Sequence, residues 1–196
     1  DNSNLFERVS VKISENKYII SILEYPNINK VTFRNNERLK NEDLQKLFDE
    51  LNINNLNPNS INNYIKELQN LYQSFGYNNS KIEIIKNIDN DSNTANVTFN
   101  ITEGEITKIN KIIFNGNSNI DNNELKSIIK SKTKTLKNIL ANNNFKKFIV
   151  ENDIRAINKA YKNKGYIDIN VDYKIEYLKS NRVNLYFNIL EGNYYT

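Results

Sequence analysis

The groups in this sequence best placed to do chemistry are main-chain amides rather than side chains. Ile167, Asp168, Ile169, Asn170, Val171, Asp172, Tyr173, Lys174 and Ile175, running on to Tyr177, alternate strictly. Ile167, Ile169, Val171, Tyr173, Ile175 and Tyr177 share one face; Asp168, Asn170, Asp172, Lys174 and Glu176 share the other. A period of two with one wet face marks an antiparallel or edge strand. Such a strand carries unpaired N–H and C=O groups, to which an extended segment can add as a further strand. Pairing of this kind is nearly blind to the side chains of the incoming segment. A shorter run, Lys81, Ile82, Glu83, Ile84 and Ile85, repeats the pattern and is the secondary candidate edge.

Side-chain chemistry has little to work with. The chain contains no His and no Cys, which removes the usual general base, the thiol nucleophile and most zinc ligand sets. Asp168 and Asp172 lie on the wet face of one strand, where solvated charge is the default. The sequence therefore predicts no enzyme, no metal and no cofactor. The abundance of Asn, Ile and Lys reads as the signature of AT-rich codons. The net charge of +4 is modest for 196 residues. Lys130, Lys132, Lys134, Lys137, Lys146 and Lys147 gather in one region; a solvated surface is the common origin of such a cluster, an anionic partner or lipid headgroup the alternative. The chain starts at Asp1 and has no Met, so it reads as processed or excised. No apolar run is long enough to span a bilayer as a helix, and no signal-peptide pattern is present.

The elements that position these edges repeat along the chain. Val9, Val11 and Ile13, then Tyr18, Ile20 and Ile22, read as a β-hairpin ending at Glu24, and Pro26 blocks its continuation. Val31 and Phe33 have strand spacing. Leu44, Leu47, Phe48 and Leu51 make a helical stripe, and Ile61, Ile65, Leu68, Leu71, Tyr72 and Phe75 a second one, with Asn57 as N-cap and Pro58 in the first turn. A hairpin follows from Ile82 to Ile101. The plan then recurs: Ile109-Asn110-Lys111-Ile112-Ile113-Phe114-Asn115-Gly116-Asn117 echoes Ile28-Asn29-Lys30-Val31-Thr32-Phe33-Arg34-Asn35-Asn36. Asp121 and Glu124 suggest a capping box ahead of Leu125, Ile128 and Ile129. An enlarged link from about Ser131 to Phe148 precedes a helix marked by Val150, Ile154, Ile157 and Tyr161. Gly165 suits the left-handed position that stops it, and a hairpin closes at Glu191-Gly192.

Repetition at this interval outranks any single-element reading. The chain divides into a closing hairpin at 1–25, a β-α-α-β-β unit at 26–104 and a second at 105–196. The fold class is α+β. Each unit is a three-stranded mixed sheet of order 1-3-2, covered on one face by two helices. The junctions at Glu24, Tyr25 and Pro26, and at Glu103, Gly104 and Glu105, are too short to serve as free linkers.

The pattern Ile-x-x-Ile-x-Phe-x-Gly-Asn, helix, Tyr-x-x-x-Gly-Tyr, alternating hairpin and closing Glu-Gly resembles the POTRA domain. POTRA modules precede the barrel of BamA-type outer-membrane assembly proteins. On that resemblance, Leu5-Phe6-Glu7-Arg8-Val9 stands for a Phe-x-x-Val element and Glu24-Tyr25-Pro26 for a Glu-x-Pro junction. The chain would hold the end of POTRA one and all of two and three. The link with Leu136, Ile139, Leu140, Phe145 and Phe148 resembles the extended connection of the third. Asn35 stands where the family usually has the Gly kept at Gly116, and the aromatic pair often carried in the link is absent. The resemblance implies a periplasmic part of a Gram-negative outer-membrane protein. Its partners would be unfolded outer-membrane proteins and accessory lipoproteins, with a membrane contact made by a C-terminal barrel outside this sequence. A secretion or organellar translocating barrel is the alternative within the family. An RNA-binding α/β module is the distant one, disfavoured because no GXXG loop joins the helices and the strands lack stacking aromatics.

Overall fold

In the computed structural model, which describes residues 5–15, 17–134 and 140–196, the predicted strands and helices all form. Leu136, Lys137 and Ile139 of the link lie outside the described residues. The chain falls into two compact units, Asp1–Leu71 with Ser80–Glu103, and Tyr72–Asn79 with Gly104–Thr196.

The first unit opens with an antiparallel hairpin of β1 (Phe6–Ser14) and β2 (Lys17–Glu24). Its register opposes Val9 to Ile22, Val11 to Ile20 and Ile13 to Tyr18, and all six side chains are exposed. A separate sheet takes β3 (Asn27–Arg34), β4 (Lys81–Asp89) and β5 (Thr94–Thr102) in the order β3-β5-β4. β3 runs parallel to β5 because α1 (Asn41–Glu50) and α2 (Pro58–Ser74) intervene; β4 is antiparallel because only a tight turn does. The Asn57 side chain accepts the N–H groups of Asn59 and Ser60, so the N-cap forms as its position ahead of Pro58 implies.

The second unit repeats this with β6 (Lys108–Asn115), β7 (Asn170–Leu178) and β8 (Arg182–Leu190) in the order β6-β8-β7. Helices α3 (Asn122–Ile128) and α4 (Lys147–Asn163) lie between β6 and β7 in sequence, and α4 packs on β7. The Asp121 side chain caps α3 by accepting from the amides of Asn123 and Glu124. Glu124 does not return the bond of a full capping box; its carboxylate pairs with Lys164 at 2.8 Å.

Each core is built across the parallel pair. Phe33 faces Phe99 with ring centroids 5.8 Å apart, and Phe114 faces Phe187 at 5.5 Å, both nearly coplanar. Around them pack Leu44, Phe48, Ile61 and Leu68 in one unit and Leu125, Val150, Ile157 and Tyr161 in the other. Two members are not among the residues expected in the core. Tyr64 is fully buried, and its hydroxyl donates to the Leu44 carbonyl at 3.0 Å. Asp153 is buried within the α4 stripe and accepts the main-chain N–H groups of Lys130 and Ser131, which tethers the exit of α3. An acid three residues after Val150 and four before Ile157, on their face of the helix, is the trace of it in the sequence.

The turn after the first strand shows why one repeat has Gly and the other Asn. Asn35 and Gly116 both have positive φ, +62° and +83°. A Cβ at Gly116 would sit 2.2 Å from the Ile189 carbonyl oxygen, so only Gly fits there. Asn tolerates the conformation where that crowding is missing.

The closing Glu-Gly pairs fasten each unit to itself. The Glu103 carboxylate accepts the Arg38 N–H at 2.8 Å. The Glu191 carboxylate accepts the N–H groups of Ser118 (2.7 Å) and Asn119 (2.8 Å) and the Tyr161 hydroxyl (2.8 Å). Burial works to raise the Glu191 pKa, but the Asn119 amide, the Tyr161 hydroxyl and the Ser118 amide outweigh it and hold the carboxyl below its ordinary range. The Tyr161 hydroxyl moves up, through burial first and the Glu191 bond second.

Phe114→Ala is expected to cost about 3–5 kcal/mol in urea denaturation, and a loss under about 1 kcal/mol would remove Phe114 from the core. Glu191 has a lowered folded pKa, so its contribution is complete above the unfolded carboxyl value of about 4.3 and is lost as pH falls through the folded value. Glu191→Gln should therefore destabilise the chain at neutral pH and flatten its acid denaturation below that point. An unchanged acid limb in Glu191→Gln would dismiss the clamp.

Candidate functional site

Strand order decides which main-chain groups are open. β5 and β8 are paired on both sides, so the margins fall to β4 and β7 on one side of each sheet and to β3 and β6 on the other. Lys81, Ile82, Glu83, Ile84 and Ile85 all lie on β4. Ile82 and Ile84 are half-buried, while Lys81, Glu83 and Ile85 are exposed. In the second unit, Asn170, Val171, Asp172, Tyr173, Lys174 and Ile175 lie on β7. Val171 is buried, and Tyr173 and Ile175 are half-buried on the same face. Burial, with Glu151 adding to it, raises the Tyr173 phenol above its ordinary value. Asn170, Asp172 and Lys174 face solvent.

The strand starts three residues later than the alternation implies. Ile167, Asp168 and Ile169 precede β7, with Ile167 and Asp168 in a turn. Ile169 is buried as expected, but Ile167 is 59% exposed and does not share its face. The chain's own return runs beside this turn. Tyr195 donates its N–H to the Gly165 carbonyl at 2.9 Å, and its hydroxyl bonds the Asp168 carboxylate. Gly192 lets this segment pass close: a Cβ there would meet the Asp168 Cβ at 2.8 Å. The segment after β8 thus runs alongside residues 165–168 and continues the direction of the β7–β8 pairing without strand geometry. Period-two alternation cannot detect such a turn, because the turn keeps apolar residues at odd positions.

One donor of the remaining edge is also engaged. The Asp172 carboxylate accepts the N–H of Tyr173 at 2.7 Å. A charged side chain folded onto its own strand blunts an edge against indiscriminate pairing. On the wet face nearby, Glu176 accepts from the Asn184 side-chain amide (2.7 Å) and the Tyr186 hydroxyl (2.8 Å), and these bonds hold its carboxyl below the ordinary range.

The junction residues take part in local bonds. Tyr25 donates its N–H to the Leu5 carbonyl, the Pro26 carbonyl accepts from Leu56, and the Glu105 carbonyl accepts from the Asn181 side chain. Glu103 holds Arg38, as above. Among the described residues, no group of His, Cys, Asp and Glu is placed to hold a metal ion, and no helix is long and apolar enough to cross a membrane.

The arrangement has counterparts among known proteins. Solved structures share the architecture at low identity. The POTRA3-5 fragment of BamA from Haemophilus influenzae superposes with a TM-score of 0.57 at 13% identity, covering 94% of this chain and 71% of that one. The BamA of Haemophilus ducreyi lacking POTRA domains 1-3 superposes at 0.54 with 16% identity, covering 85% of this chain and 30% of that one. The family model POTRA, described as surface antigen variable number repeat, matches residues 26–104 and again residues 107–192. With two successive matches over most of its length, the chain belongs to the POTRA family.

Proposed function

We propose that this chain is a POTRA region of an outer-membrane barrel-assembly or secretion protein. It lies in the periplasm and receives extended segments of unfolded partner proteins by strand addition. Residues 1–25, 26–104 and 105–196 are its three repeats, the first represented by its closing hairpin. The observation that carries the reading is that both units place an uninterrupted strand, β4 or β7, at the margin of the sheet. Neither strand contains Pro or Gly. Such a margin offers hydrogen bonds to any chain able to extend, which suits a receptor for many unrelated barrel precursors. The role is that of a scaffold rather than a catalyst. Accessory lipoproteins would dock on the same modules, and a barrel elsewhere in the protein would hold them at the membrane.

The working edge in the second unit is Asn170–Ile175, with Ile167, Asp168 and Ile169 beside it rather than on it. In the first unit it is Lys81–Ile85, where the exposed Ile85 adds apolar surface to the open main chain. Asp172 makes β7 the more guarded of the two, since a client must displace its carboxylate from the Tyr173 N–H.

A photo-reactive residue at Lys174 or Glu83 of the full-length protein tests this. Adducts with several unfolded outer-membrane precursors are expected. Adducts with one secreted protein alone would select the secretion role, and none at either position would sink strand addition. Asp172→Ala, which frees the Tyr173 donor, should raise the adduct yield at Lys174 about two- to fivefold, the size of one ordinary hydrogen bond.

A further inference from the structure

The opposite margins of the two sheets carry contrasting charge. β3 and β6 begin in the same way, with the link between the helices laid against their first residues. Ile28 donates to the Asn54 carbonyl, and Ile109 to the Asn143 carbonyl. Beyond that cover each strand borders a groove: β3 against α1, and β6 against Lys126 of α3 and the start of the helix–helix link at 131–134. The groove beside β3 has a volume of about 890 Å³ and includes Glu42, Asp49 and Glu50 with Lys30 and Lys46. The groove beside β6 has a volume of about 410 Å³, and all the charged residues lining it among those described are lysines: Lys111, Lys126, Lys132 and Lys134.

The difference comes from equivalent positions. Lys30 and Lys111 match in the repeat, but Gln45 corresponds to Lys126, and Glu50 to Ser131. Lys132 is partly committed, since its Nζ donates to the carbonyls of Lys126 and Ile129 at the end of α3. The Ser131 hydroxyl, at the same wall, is buried without a hydrogen-bond partner.

We propose that the β6–α3 groove binds an acidic, extended polypeptide segment, which adds to the β6 edge at Ile112–Phe114 and places its carboxylates among Lys111, Lys126 and Lys134. Charge complementarity selects the sign of the ligand. The open strand beside the lysines selects its class, because an extended peptide uses both features and an isolated anionic headgroup uses only one. The site is separate from the β4 and β7 edges and stands whether or not those edges capture clients.

Fluorescence anisotropy of the 196-residue chain with a labelled peptide of about eight alternating glutamate and valine residues tests the proposal. The acidic peptide is expected to bind, and the lysine–valine peptide of the same length to bind at least about tenfold more weakly. Lys126→Glu combined with Lys134→Glu should weaken the acidic peptide by about tenfold or more, and added salt should weaken it in the parent chain. Both lysines are exposed and outside the core, and circular dichroism reports folding of the variant; Lys111→Glu is the second variant. Amide exchange should slow at Ile112–Phe114 on binding. Equal affinity for the two peptides, or binding without that protection, would overturn the proposal. So would phosphatidylglycerol vesicles that bind through the same lysines while the acidic peptide does not.

Discussion

Both units depend on one pairing: the first strand lies parallel against the last, with a phenylalanine from each meeting in the core. Phe33 on Phe99 and Phe114 on Phe187 occupy the same register in their sheets. A parallel pair needs a long crossover, and the two helices supply it while covering the apolar face. Once the last strand is central, the hairpin strand before it has nowhere to go but the margin. The open edges are thus a topological consequence of how the core is closed, and the core cannot be kept while the edges are removed.

An edge is useful and hazardous for the same reason, since it pairs with whatever extended chain arrives. The molecule manages each margin differently. The starts of β3 and β6 are covered by residues of the helix–helix link, through Asn54 to Leu56 in one case and Asn143 to Phe145 in the other. On β7 the Asp172 carboxylate holds the Tyr173 N–H. What stays open is short, flanked by charge, and therefore selective in where it can be entered.

The fold was largely legible in the sequence because its signals are local and periodic. Alternation gave the strands, stripes ending at Gly76 and Gly165 gave the helices, and the doubled motif gave the strand order by implication. Non-local constraints were not legible. Tyr64 is absent from the apolar stripe read in the sequence, yet it is buried with its hydroxyl reaching the Leu44 carbonyl, twenty residues back along the chain. Glu103 and Glu191 read as junction or strand-end residues, yet they clamp the loop after the first strand of their own unit. The edge was overrun by three residues at Ile167, Asp168 and Ile169, because the turn there leaves the apolar spacing unchanged. Asp153 left a readable trace, an acid in an apolar stripe, whose partners only the fold could identify.

The repeats also separate what is constrained from what is free to diverge. Where packing governs, the two copies agree: Ile28 with Ile109, Phe33 with Phe114, Tyr72 with Tyr161. Where backbone crowding governs, they differ only as far as the crowding allows, Gly116 being fixed by the Ile189 carbonyl and Asn35 being released from it. On the walls of the first-strand grooves neither constraint acts, and there the copies carry different charge. Core-facing positions have to answer to the same three-stranded sheet in both units, and that demand is strong because each sheet has only one layer of helices to bury it. Groove positions answer to solvent and to whatever else enters. Duplication of a module with a fixed core therefore yields a set of equivalent edges, and charge on the groove walls is the variable through which those edges become distinct.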